Sequence, residues 1–194
     1  GLPQGARKCA GGSFGAACAS IILASRVGME ITFRDAVTVL HGMGFGAVLL
    51  LGFSGAGVAL YALSLSSAPW RPAPRERRLV TGYFAALAVL AWMAVFIGAY
   101  VVYPWYRAHP AAGAADLSGY PQRLLMSSPS TAGWHDVGME WKEHIAWFAP
   151  IGLTAAAFVI GRYGSALANN EPLRNAVLGL IFLAFIAAGV AGLF

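Results

Sequence analysis

Four long, strongly apolar stretches of this chain carry no charged residue: 36–70, 79–106, 145–161 and 175–194. The hydrocarbon core of a bilayer is about 30 Å thick, and about 20 apolar helical residues cross it. Only a helix or a closed barrel satisfies its backbone N–H and C=O groups there, because no water is present to do so. Apolar runs of this length, separated by short charged segments, predict an all-α integral membrane protein. The expected architecture is a four-transmembrane-helix bundle, two helical hairpins with an external middle loop, with helices over about 35–66, 79–104, 135–162 and 173–194.

Composition agrees. The chain is 58% hydrophobic and 11% charged, against roughly 25% charged residues in a typical soluble domain. Its net charge of +5 does not point to nucleic acid, because the basic residues lie in loops between apolar runs rather than in a patch interleaved with exposed aromatics. Cys9 and Cys18 lack metal-site or redox spacing. Residues 1–28 are rich in small residues and without period. We expect a non-native upstream extension or a targeting segment there, the latter because Arg7 and Lys8 precede a weakly apolar run from Ser13 to Ala24. The domain proper is then 29–194, and Thr32 with Asp35 forms a capping-box-like entry to the first helix.

Orientation follows from the loops. Arg71, Arg75, Arg77 and Arg78 lie between the first two runs and Arg162 and Arg174 between the last two, whereas the middle loop has Arg107, Arg123 and Lys142 together with four acids. The positive-inside rule places the two short loops in the cytoplasm and both termini outside, with a bacterial inner membrane as the expected location. Tyr100, Tyr103, Trp105, Tyr106, Trp134, Trp141 and Trp147 form the outer aromatic belt.

Ionisable residues within membrane helices are functional candidates by default. His41 lies early in the first apolar run and His144 directly precedes the third, so both fall in the outer half of the bilayer. His41 is followed twenty residues later by Tyr61, and His144 nineteen residues later by Tyr163, a faint sign of an internal repeat. Gly42, Gly44 and Gly46 lower helix propensity beside His41. Such a cost is usually offset by close approach of another helix or of a flat cofactor. Around the second histidine, Asp136, Glu140 and His144 fall at i, i+4 and i+8 on one helical face, with Lys142 and Glu143 beside them. These acids orient a ligating imidazole or accept protons, or else they are solvated partners of the helix dipole. His135 could serve the same site; His109, beside Pro110, reads as a loop residue. Pro150 should kink the third helix beyond His144.

The leading functional expectation is electron transfer. A haem b near the outer face would be held by His41 and His144, slotted along Gly42, Gly44 and Gly46, with Glu140 and Asp136 carrying protons and a quinol pool or respiratory partner exchanging electrons. Covalent c-type haem is excluded by the absence of C-x-x-C-H. Metal candidates are His41, His144 and His135; the alternative cofactors are copper, with Met43, Met93, Met126 and Met139 joining histidine as soft ligands, and non-haem iron held by Glu140, Glu143, His144 and His135. The competing class is a non-catalytic accessory or assembly subunit of a larger respiratory or photosynthetic complex, packed against other membrane subunits or further copies of itself. The third is metal or small-solute transport.

Cysteines at the two kinds of loop test the orientation. In a chain lacking Cys9 and Cys18, a membrane-impermeant thiol reagent applied to intact cells should label Gly113→Cys and leave Ala73→Cys unlabelled. The reverse pattern would invert the protein and move the histidines to the other face.

Overall fold

The structure, a computed structural model, describes residues 31–65 and 73–194, with first-helix side chains described up to Ala56. The extension expected over 1–28 and the side chain of Tyr61 lie outside the described residues. Backbone contacts divide the chain into Gly1–Asp35 and Ala36–Phe194. In the first unit the helix entry is closed as the sequence predicts. The Asp35 N–H donates to the Thr32 hydroxyl oxygen at 3.2 Å, and the Asp35 carboxylate accepts from the Thr32 N–H at 3.2 Å.

Among the described residues the chain forms five helices. Helix α1 is α-helical over Phe33–Val39, π-helical over Leu40–Ala47 and α-helical again over Val48–Leu65. Helix α2 is Pro74–Tyr106, with a π-helical turn at Gly98–Val102; α3 is Pro121–Met126. Helix α4 is Pro129–Leu167, with a π-helical turn at Trp141–Ile145, and α5 is Glu171–Ala191. Helices α1, α2, α4 and α5 are long and apolar enough to cross a membrane. No strand occurs among the described residues.

The helices overrun the expected boundaries for a physical reason. Charge limits how far a segment enters lipid, not how far it stays helical. Thus α2 begins at Pro74, a position where the missing N–H costs nothing, and the Glu76 carboxylate accepts from the Ala73 N–H at 3.0 Å. Helix α4 begins at Pro129 rather than 135, so the middle loop is shorter than expected and contains α3. At the other end of the membrane segment, Asn170 caps α5 by accepting from the Leu173 N–H at 3.0 Å. Pro150 leaves its mark just upstream of itself. Without its N–H, the Ala146 carbonyl accepts from Ala149 at 3.2 Å, and the helix breaks into a turn at Ala146 and Trp147.

Helix α4 packs against α2 on one side and α5 on the other, whereas α1 leans on α2 and α5. Lipid tails are as apolar as leucine, so association inside a bilayer depends on close van der Waals fit, which small residues permit. Leu153, Ala156 and Ala184 are fully buried at this interface. A side chain at Gly152 would meet Ala184, one at Gly161 would meet Thr81, and one at Gly164 would meet Arg77. Polar groups tie the same helices: Trp92 Nε1 donates to Thr154 Oγ1 at 3.1 Å, and Trp141 Nε1 to the Ala187 carbonyl at 3.0 Å. Helix α1 is fastened by Phe53 edge-on to Phe185 at 5.4 Å and by the Tyr83 hydroxyl donating to the Gly52 carbonyl. Leu51, Leu79, Phe158 and Phe182 face outward, as lipid-facing side chains do. In the middle loop Gly113 has φ +80°, so Ala112 is the less strained label site.

Overpacking the small-residue seam should separate α4 from α5. Ala184→Leu is expected to destabilise by about 1–3 kcal/mol, and the outward Phe182→Leu by less than about 0.5 kcal/mol. Thermal unfolding in detergent would read both, and an equal loss would mean that the seam is not the stabilising contact.

Candidate functional site at the middle-loop end

Three π-helical turns converge at one end of the molecule. A π turn bonds i to i+5 and inserts an extra residue; it is rare and concentrated at functional positions. Here the Tyr103 N–H donates to the Gly98 carbonyl, and the Ala146 N–H to the Trp141 carbonyl at 2.9 Å. The turns belong to α1, α2 and α4, and His41, Gly98 and Lys142 bring them together. A side chain at Gly98 would stand 2.7 Å from His41 Cε1, so only glycine admits the imidazole there. His41 is half-buried, and its Nδ1 is buried without a hydrogen-bond partner. The ammonium of Lys142, also half-buried, is the charged group that acts on the ring. No carboxylate lies within ion-pair distance of Lys142 among the described residues.

The glycines beside His41 behave differently from the expectation. No atom lies within 4 Å of a side chain built on Gly42, one on Gly44 would meet only Leu40 of its own helix, and one on Gly46 would meet the His41 carbonyl. Gly42, Gly44 and Gly46 therefore line no close approach between helices. They occupy the π-helical turn itself, and the close approach to His41 comes from Gly98.

One turn further along, the polar side chains gather round a cavity of about 300 Å³ lined by Tyr103, Arg107, Gln122, His135, Asp136, Met139, Glu140 and Glu143. The Tyr103 hydroxyl donates to the Glu143 carboxylate and accepts from Arg107 Nη1 at 3.0 Å, with the guanidinium 5.4 Å above its ring. His135 is held through both ring nitrogens: Nδ1 lies 2.6 Å from the Tyr106 hydroxyl and Nε2 3.4 Å from the amide nitrogen of the buried Gln122. Arg123 Nη2 donates to His109 Nδ1 at 2.6 Å, which ties α3 to the segment after α2. His109, read from sequence as a free loop residue, is a clasp.

His144 is elsewhere. Its side chain is 64% exposed, with Nδ1 3.1 Å from the Glu140 carbonyl and 3.4 Å from the Glu140 carboxylate, itself 79% exposed. It lies in an open groove of about 420 Å³ with Asp136, Val137, Glu140, Trp141 and Ile145. His144 and Lys142 are two residues apart in the π-helical turn of α4, so they point to different sides of that helix. A haem b with His41 and His144 as axial ligands needs both imidazoles on one slot. His144 lines the open groove, whereas His41 lines neither that groove nor the polar cavity. No group of three or more His, Cys, Asp or Glu side chains among the described residues is arranged to hold a metal.

Of the sequence-named residues, His135, Asp136 and Glu140 share the cavity, while His41 sits one turn deeper and His144 outside. Tyr103, Tyr106, Arg107, Gln122, Gly98 and Lys142 were not singled out. The tyrosines had been read as belt residues, and Lys142 as a neighbour of the acidic face. The signals were present: Tyr103 and Arg107 stand at i and i+4, and Lys142 is the last cation before a charge-free run.

No protein family, curated protein or solved structure matches this chain.

His135→Phe strands Gln122, a buried amide with its described partner removed, and should cost about 1–3 kcal/mol. His144→Phe, on the exposed face, should change stability by under about 0.5 kcal/mol. Chemical or thermal unfolding of the two variants side by side tests this ranking; equal effects would deny the His135 network a structural role.

Proposed function

We propose that the protein is a membrane electron-transfer component that receives a quinol headgroup in the cavity between the end of α2 and the start of α4. One observation carries this reading: a cavity at the lip of membrane-length helices is lined by proton-accepting groups, each held by a tyrosine, Glu143 by Tyr103 and His135 by Tyr106. Its volume is at the lower end of the range for small-ligand sites, about 300–1,000 Å³. An amphiphile suits the position, since a ring can enter the polar cavity while an isoprenoid tail stays among the outward apolar side chains. Oxidising a quinol to a quinone releases two protons and two electrons. The carboxylate of Glu143 and the imidazole of His135 are suited to accept the protons at hydrogen-bonding range of the two hydroxyls. Arg107 favours the anionic intermediate form of the ring. The electrons pass singly to a one-electron metal centre of a partner subunit. In this reading the helices form a four-helix bundle with the middle loop, including α3, on the outer face of the membrane, so the protons leave outward.

A second reading rests on the face that carries His144. Together with Val137 and Ile145, which are exposed, His144 and Glu140 form a mixed apolar and titratable groove outside the helix pack. An accessory subunit of a larger membrane complex would use such a face against its neighbour.

A short-chain quinol, kept reduced under anaerobic conditions and titrated into the purified protein, should quench tryptophan fluorescence saturably. Glu143→Gln and His135→Phe should each weaken binding at least about tenfold, the loss of one hydrogen bond to a charged or buried group, and His144→Phe should leave it unchanged. Absence of saturable quenching in the wild-type protein would remove the quinol reading. Loss of co-purifying subunits in His144→Phe, with quinol binding intact, would support the accessory role.

A further inference from the structure

At the opposite end from the cavity, the start of α2, the end of α4 and the start of α5 meet. The Arg77 side chain lies over Gly164, where an added Cβ would stand 2.6 Å from its Cδ. Arg174 Nη1 donates to the Leu167 carbonyl at 3.4 Å. Gly164 and Leu167 are both buried and are three residues apart, so they are neighbours on one face of the last turns of α4. The two guanidinium groups thus flank the same helix end, and both residues are half-buried. Arg75, Arg78 and Arg162 are exposed nearby in sequence, and Glu76 and Glu171 are the acids of these helix ends. Glu76 caps Ala73. None of the five arginines forms an ion pair among the described residues.

Glycine at 164 is what admits the Arg77 stem, and Arg174 uses one donor on a helix carbonyl and keeps the rest of its fork. Two partly desolvated cations at one helix end are unfavourable without an anion. The helices that lead away from this end also carry outward apolar side chains, Leu79 on α2 and Phe158 on α4 being 64% and 63% exposed. An anion with hydrocarbon attached satisfies both conditions, because a phosphodiester accepts from guanidinium forks and acyl chains cover the outward side chains.

We propose that Arg77 and Arg174 form a headgroup site for an anionic phospholipid at the end of α2, α4 and α5, on the membrane face opposite the polar cavity. The site holds α2 and α5 to the end of α4 by sharing one phosphate between their arginines.

Delipidated wild-type protein in a zwitterionic detergent, titrated with phosphatidylglycerol, phosphatidylcholine or inorganic phosphate, tests this by thermal shift and by native mass spectrometry. Phosphatidylglycerol should raise the unfolding temperature and remain bound as one tightly held lipid; the other two should do neither at equal concentration. Each of Arg77→Gln and Arg174→Gln should weaken the lipid about fivefold, the effect of removing one cation near an anionic headgroup. Arg162→Gln, whose guanidinium lies 5.4 Å over the Tyr163 ring, should retain it. An equal shift from phosphatidylcholine would show a non-specific lipid effect, and an equal shift from inorganic phosphate a free-anion site; either would overturn the proposal. So would undiminished retention of phosphatidylglycerol in the Arg77→Gln, Arg174→Gln double variant. Arg77→Lys and Arg174→Lys, which keep the charge, guard against misfolding: they should fold and bind better than the glutamine variants.

Discussion

Helices in lipid gain little by hiding apolar surface from one another, so their arrangement depends on how closely their backbones can approach. In this protein that approach is made by Gly152, Ala156 and Gly161 of α4 against Ala184 of α5 and Thr81 of α2. The seam fixes α4 at a set rotation. With α4 fixed, Glu143 faces Tyr103, Trp141 reaches the Ala187 carbonyl, and His144 is left outside. The chemistry at the middle-loop end is a consequence of glycine and alanine placed some way along the helix from it.

The π-helical turns refine that rotation. Each extra residue shifts the side chains that follow it relative to those before, and the three shifts fall where polar residues must turn inward at the end of an apolar span. In α2 the turn separates Gly98, which receives His41, from Tyr103, which serves the cavity. In α4 it lies between the acids of the cavity rim and the apolar run that begins at Ile145. A polar chain results, in which Arg107 donates to the Tyr103 hydroxyl and Tyr103 donates to Glu143.

The histidine pair illustrates how far helical periodicity carries. His41 and His144 were matched because each lies near the same end of a span, and depth is what sequence position encodes. Facing is a different quantity. Two residues on separate helices share a slot only if both helices have the required rotation, and the rotation of α4 is set by contacts with α2 and α5 that leave no trace near residue 144. The glycines at 42, 44 and 46 misled for a related reason. A glycine reads identically whether it admits a neighbour, as Gly98 does, or sits in an irregular turn.

What the sequence determined by itself was the class of structure and the depth of its parts. Charge-free runs of membrane length dictate helices, because unbonded backbone cannot enter lipid. The capping of α1 by Thr32 and Asp35 was likewise legible, since both partners lie within one turn. Only the tertiary structure decided which residues meet. The pairing of Tyr103 with Glu143 spans 40 positions and that of Tyr106 with His135 spans 29. Such contacts depend on the rotation and axial offset of packed helices, and these are set jointly by many small side chains, none of which specifies them alone.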